Sequence, residues 1–226
     1  MSPIRFIMAA MAVLCLAQPV LAASAEQTRI DQAVRAYAAK LESDAEKDHD
    51  QRALANAAAL QSDPLSPVIG NQGAATTVVE FFDYACPYCK AVEPRLEATI
   101  RADKNARLVL KEFPILTPAS MVATRAALAA AKQGKYTPFH QALMNYRGQL
   151  DGQAITDTAK AVHLDMARLE KDMNSPDITN EIIANFNLAR ALRIFQTPGF
   201  IVGNHILGGQ SADINFSKEI SLARGK

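Results

Sequence analysis

The sequence predicts an α/β fold: a strand-helix-strand unit, a helical insertion, and a β-hairpin with a closing helix. Three observations carry this. Thr76–Phe82 is a β-branched and aromatic run, too apolar on both sides for an edge strand, so it reads as a central strand covered on two faces. Cys86 and Cys89 form a C-x-x-C that leads into helical spacing at Val92, Leu96 and Ile100. Far downstream, Thr197-Pro198-Gly199 precedes a returning strand at 200–203.

The chain begins with Arg5 and a twelve-residue apolar run, Phe6 to Ala17, followed by small residues up to Ala25. This reads as a secretory signal peptide over residues 1–22, with cleavage as late as residue 25, because the run is shorter than the roughly 20 residues a membrane span needs. Either cut removes Cys15, which follows Leu14 where a lipoprotein would place a small residue. The mature chain then carries only Cys86 and Cys89, in an exported and oxidising compartment.

Residues 23–63 read as a helical, oligomerising extension, with Ile30, Val34, Tyr37, Leu41 and Ala45 at spacings of four and three. The acidic stretch 42–50 interrupts this seam, which leaves a helix folded back on the main domain as the competing expectation. Ala53, Leu54, Ala57 and Leu60 resume the pattern, and Pro64 and Pro67 end it, placing the start of the main domain at residue 64. Within 64–226, a second strand is expected at 107–113 and helices at 120–133, 138–147, 155–162, 165–174 and 175–195, an insertion of about 118–196. A short strand at Ile206-Leu207, a Gly208-Gly209 turn and a helix from Ser211 complete the reading.

Composition narrows the chemistry. Twenty-four Lys and Arg against 23 Asp and Glu, with no basic run, leave no electrostatic footprint for nucleic acid. At the start of a helix the unpaired N–H groups and the positive dipole end stabilise a thiolate, so Cys86 is expected to be the solvent-accessible nucleophile. Cys89, one turn in, resolves the mixed disulfide. Pro87 fits the first turn, and Tyr88 adds no charge. Structural zinc would need two further ligands, and His49, His140, His163 and His205 lack ligand spacing; each reads as a surface residue. Met121, Met144, Met166 and Met173 read as core filling.

Glu80 is a carboxylate in an apolar strand, where burial raises its pKa and fits it to exchange the proton of Cys89. A turn at Thr197-Pro198 is a place for a cis peptide and leaves Thr197 backbone groups free to pair with an extended substrate.

The segments Glu80-Phe-Phe-Asp-Tyr-Ala-Cys-Pro-Tyr-Cys89, Lys111-Glu-Phe-Pro-Ile-Leu116 and Thr197-Pro-Gly-Phe-Ile-Val202 resemble the DsbA family of exported thioredoxin-fold proteins. Within it, the Cys-Pro-Tyr-Cys pair and the Ala-rich extension look most like the ScsC (suppressor of copper sensitivity) and Com1-like groups. The resemblance implies a thioredoxin fold with an inserted helical domain, a cis Pro198, Cys86 attacking, Cys89 resolving and Glu80 at the buried acid position. Cys-Pro-Tyr-Cys also occurs in glutaredoxins, but 109 positions separate Cys89 from Pro198, far more than a bare glutaredoxin leaves.

The expected function is therefore a periplasmic thiol-disulfide oxidoreductase, a disulfide isomerase or reductase with no cofactor beyond its own dithiol. Its partners would be misfolded or reduced exported proteins and a membrane thiol reductase of the ScsB or DsbD kind, and residues 26–61 would form a homotrimer. The alternatives are a DsbA-like dithiol oxidase and a copper-tolerance protein holding Cu(I) between Cys86 and Cys89.

Overall fold

The computed structural model describes residues 4–207 and 214–225, with side chains from residue 28 onward except Glu46. The expected Gly208-Gly209 turn and a helix start at Ser211 lie outside the described residues. The chain forms two compact units, Met1–Lys47 and Asp48–Lys226. Helix α1 (Ile4–Ala55) is followed by the short α2 (Ala57–Gln61). Among the described residues no helix is long and apolar enough to cross a membrane.

The second unit is built on a five-stranded sheet of β1 (Val68–Gly70), β2 (Thr76–Phe82), β3 (Ala106–Glu112), β4 (Gly199–Val202) and β5 (His205–Leu207), in the order β1-β3-β2-β4-β5. β2 and β3 run parallel, joined by α3 (Pro87–Ala102), and the other pairs are antiparallel. The parallel pair requires the crossover helix that the C-x-x-C opens. β1 was not legible in the sequence: a three-residue strand that follows Pro67 and ends on a left-handed Gly70 carries no periodicity. A Cβ at Gly70 would stand 2.8 Å from Ile100 Cγ2, so close packing on α3 as well as its φ of +96° requires glycine there.

As the apolar run implied, every residue of β2 is buried and its two faces feed two separate cores. Val78 and Phe82 pack with Val92 and Leu96 of α3 and with the helical insertion. Val79 and Phe81 pack with Ile201, Leu188 and Leu192 on the opposite face. The insertion comprises α4 (Pro118–Ala131), α5 (Tyr136–Asn145), α6 (Gly152–Ala161), α7 (Met166–Met173) and α8 (Pro176–Ala191), and α9 (Phe216–Arg224) closes the chain. Thr117, Asp151, Asp165 and Asn215 each accept a backbone N–H at a helix start. Ser175 occupies the N-cap of α8 without a side-chain cap, its hydroxyl donating instead to Asp172 O at 2.6 Å.

The main unit starts at Asp48 rather than at residue 64. The cause is packing that an alanine-rich stretch does not advertise: Ala53 and Leu60 are fully buried in the same cluster as Val79 and Phe81. Two of the acidic residues that interrupt the heptad seam fasten the start of this second unit. Asp48 accepts from Arg52 at 2.8 Å and from Arg193 at 3.4 Å, and Asp50 pairs with His205 at 2.9 Å.

Replacing Leu60 with Ala should lower the unfolding free energy by about 2–5 kcal/mol, the cost of a cavity in a closed core. Urea denaturation of the reduced protein measures it. A loss below about 0.5 kcal/mol, the range for surface substitutions, would place residues 48–61 outside the folded unit.

Candidate active site

Cys86 is the N-cap of α3, in extended conformation, with Pro87 in the first turn and Cys89 one turn in. The Cys89 backbone N–H points at Cys86 Sγ at 3.4 Å, and Cys86 Sγ lies 3.3 Å from the Thr197 carbonyl oxygen. Both cysteines are unpaired thiols. The Cys86 pKa falls to about 6, first through the hydrogen bond from the Cys89 thiol and then through donors on Thr197 and the α3 N-terminus, against the opposing effect of burial. Thr197 Oγ1 is buried with no partner among the described residues while Cys86 is a thiol, so ionising Cys86 gives that hydroxyl an acceptor.

Solvent access is not what the helix-start position implied. Cys86 is only 2% exposed, because the loop carrying Thr197 lies over it, and the exposed groups of the motif are Pro87 and Tyr88. The Thr197–Pro198 peptide is cis. Two surface pockets of about 680 and 390 Å³ share Ala85 and Lys90 beside the motif, the larger bounded by Thr117, Val122 and Leu150 and the smaller by Tyr146 and Arg147.

Cys89 is fully buried and its pKa is pushed up, by burial first, then by the hydrogen bond it gives Cys86, then by Glu80. Glu80 sits mid-strand, opposite Leu110 and Phe200, with no exposed surface. Neither of its oxygens has a hydrogen-bond donor among the described residues. Burial raises its pKa well above the ordinary carboxylate range, and the charges of Glu93 and Cys86 raise it further. One helix end thus holds two thiols whose pKa values are pushed in opposite directions, the outer one down and the inner one up, above a carboxyl whose own pKa is raised.

Several supporting groups escaped the sequence reading. Asp83 accepts the N–H of Ala85 at 2.7 Å and those of Ile115 and Leu116 at 2.9 Å each, tying the motif's approach to the loop after β3. His140, expected at the surface, is completely buried. Its Nε2 meets Glu93 Oε1 at 3.0 Å and its Nδ1 meets Tyr84 Oη at 3.0 Å. Tyr84 and Tyr136 each donate to Glu112 Oε1 at 2.9 Å, and Thr124 donates to Oε2 at 2.7 Å. Burial lifts Glu112 to about 7, with those donors opposing. The signal that was available is the pair Glu93 and Glu97, two charges on the helix face that also carries Cys89, Val92, Leu96 and Ile100.

Glu93, Glu97 and His140 bring one ligand atom each within 4.8 Å of one another. The protein itself already occupies most of that donor set: Gln141 Nε2 lies 2.8 Å from both Glu97 oxygens, Arg101 pairs with Glu97, and His140 holds Glu93 Oε1. The three groups therefore form a hydrogen-bonded cluster rather than an open metal site.

Comparison with known proteins agrees with this geometry. A thioredoxin-like oxidoreductase from Silicibacter pomeroyi is 40% identical, covering 75% of this chain and 98% of its own, with a TM-score of 0.72. The catalytic domain of Proteus mirabilis ScsC is 29% identical over 78% of this chain and 99% of its own, with a TM-score of 0.70. The thiol:disulfide interchange protein DsbA of Bordetella parapertussis is 28% identical over 135 residues, 58% of this chain and 64% of that protein. The Na(+)/H(+) antiporter NhaA 1 of Salinispora arenicola is 30% identical over 137 residues, and the matched part of this chain spans 21% of that protein's length. Residues 77–220, which hold the sheet core, both cysteines and the Thr197–Pro198 turn, match the DSBA-like thioredoxin domain, and the chain belongs to that family.

Proposed function

We propose that this chain is an exported thiol-disulfide oxidoreductase working on protein substrates as an isomerase or reductant. The Cys86 thiolate attacks a substrate disulfide, one substrate sulfur leaves as a thiolate that takes a proton from solvent, and Cys86 holds the other sulfur as a mixed disulfide. Cys89 then gives up its proton toward Glu80 and attacks Cys86 Sγ. This forms the Cys86–Cys89 disulfide and releases the second substrate thiolate. Thr197 backbone groups beside Cys86 pair with the extended substrate segment, and Pro87 and Tyr88 are the exposed face that meets it.

The observation that carries the direction is the Cys86 pKa of about 6. A strong oxidant such as DsbA owes its potential to a reduced form stabilised by a thiolate pKa of about 3.5, whereas thioredoxin, a reductant, lies near 7. A thiolate stabilised only to about 6 belongs nearer the reducing end, which favours correction of disulfides over their primary formation. Acting as a reductant it needs reduction after each turnover, whereas isomerisation, in which a substrate thiol displaces Cys86, only requires that the dithiol be kept reduced; the family resemblance points to a membrane thiol reductase of the ScsB or DsbD kind for that task. The leader over residues 1–22 would take it to the periplasm.

The extension supports the same reading. Ile30, Val34, Tyr37 and Leu41 are each at least half exposed along one helix, an apolar stripe suited to other copies of the chain in a homotrimer. Several Cys86 sites would then face one misfolded substrate.

Alkylation of the reduced protein by iodoacetamide should rise with a midpoint near pH 6 and stop at one label, lost in Cys86→Ala. Below that pH Cys86 is a thiol and unreactive; a midpoint near the ordinary thiol value of about 8.5 would remove the argument for direction. The pre-reduced protein in catalytic amounts should restore activity to scrambled ribonuclease, and Cys86→Ala should not. Deleting residues 26–47, which leaves the unit that starts at Asp48 whole, should abolish that correction and raise net oxidation of reduced ribonuclease, with light scattering reporting a smaller assembly; an unchanged mass and activity would refute the trimer.

A further inference from the structure

Two cations stand beside the dithiol with no anion to answer them. Lys90, on α3 immediately after Cys89, donates from Nζ to the Tyr146 carbonyl oxygen at 2.7 Å, and its ammonium lies 5.8 Å from the centre of the Tyr146 ring. Arg147 is the next residue, and its Nη1 donates to the Met144 carbonyl oxygen at 2.8 Å. Both bonds end on neutral oxygens, and among the described residues neither cation takes part in an ion pair. Burial first, and then the like charge of Arg147, lower the Lys90 pKa. An ammonium and a guanidinium each carry more N–H donors than these bonds use, so both keep hydrogens for a further acceptor.

The two side chains share a cavity. With Ala85, Pro87 and Tyr146 they line the pocket of about 390 Å³, and among the described residues no carboxylate borders it. Ala85 and Pro87 are the residues on either side of Cys86, so the pocket adjoins the attacking residue along the chain in both directions. The nearby acids have other work. Asp83, the anion that acts on Lys90, is buried and accepts the N–H groups of Ala85, Ile115 and Leu116. Asp151 borders the larger pocket, which Lys90 also lines, and accepts the Ala154 N–H at the start of α6.

A substrate segment that pairs with the Thr197 backbone is extended, and an extended chain turns every second side chain to the same face. The substrate cysteine points at Cys86, so the side chain two positions from it faces the protein as well, while its immediate neighbours face outward. We propose that Lys90 and Arg147 form a subsite for a carboxylate of the protein substrate, an Asp or Glu two positions from the reacting cysteine. This rests on the reading of Cys86 as the nucleophile toward protein disulfides, and it names the substrate class which that reading leaves open. The carboxylate is held while the mixed disulfide exists and departs with the released chain. Neither cation takes part in the sulfur chemistry.

The test gives the reduced full chain short peptides, capped at both ends, whose single cysteine carries a thiopyridyl disulfide. The Cys86 thiolate attacks the peptide sulfur, a Cys86–peptide bond forms, and thiopyridine leaves with the electron pair and takes a proton from water, a release that absorbance follows. At low salt, Glu two positions from the cysteine should raise the second-order rate constant roughly tenfold over Gln at the same place, the low end of what hydrogen bonds to a charged group contribute. Glu next to the cysteine should give no comparable gain, and salt at about 0.5 M should shrink the preference. Arg147→Glu should remove it, and Arg147→Lys, which keeps the charge, should retain it; Arg147 is exposed, so neither change disturbs a core. Equal rates for the Glu and Gln peptides, or a preference that survives Arg147→Glu, overturn the subsite and leave Cys86 as the nucleophile. If Glu brings no gain while inorganic phosphate shields Arg147 from phenylglyoxal, the pocket takes small anions instead of substrate, and the proposal is overturned as well. Release from no peptide, or release that persists in Cys86→Ala, brings down the nucleophile reading and the subsite with it.

Discussion

The interaction between the Cys86 and Cys89 sulfurs at one helix end sets the chemistry of this molecule. It is the largest influence lowering the Cys86 pKa and, after burial, the largest raising that of Cys89. It exists because Cys86 is the N-cap of α3 and accepts the Cys89 backbone N–H at 3.4 Å, so both sulfurs meet at a single helix end. Everything around the pair serves the asymmetry. Thr197 and the α3 N–H groups reward a charge on the outer sulfur, while the packed sheet face beneath the inner one penalises it.

The sheet makes that penalty possible. β2 is buried along its whole length, and its alternation sends Val79 and Phe81 into one core and Val78, Glu80 and Phe82 toward α3. A carboxyl on this second face cannot reach water through β2 itself. Its register opposite Leu110 and Phe200 offers no cation or amide donor from the neighbouring strands. Glu80 therefore has its pKa raised well above the ordinary carboxylate range, by burial first and by the charge of Glu93 on α3 next.

The dithiol and its scaffold were legible in the sequence because their signals are local. β-branched residues mark β2, the C-x-x-C marks the start of α3, and Thr197-Pro198 marks the turn that closes over Cys86. Groups that act through distant partners were not legible. His140 lies 47 positions from Glu93 and 56 from Tyr84, and nothing in its own neighbourhood distinguishes a histidine that completes a buried network from one on a helix surface. Burial of Cys86 depended likewise on a loop 111 positions away. The start of the main unit at Asp48 was hidden because alanines and a single leucine pack as well against a sheet as against a sister helix.

The account makes the modest stabilisation of the Cys86 thiolate the determinant of direction, and the equilibrium of the Cys86–Cys89 pair with glutathione tests this most directly. The prediction is a potential clearly more reducing than the about −120 mV of DsbA, at or below the about −180 mV of protein disulfide isomerase. A value at or above about −120 mV would mean that the folded protein stabilises its dithiol as strongly as a primary oxidant does. The reading of this chain as a reductant or isomerase would then be wrong.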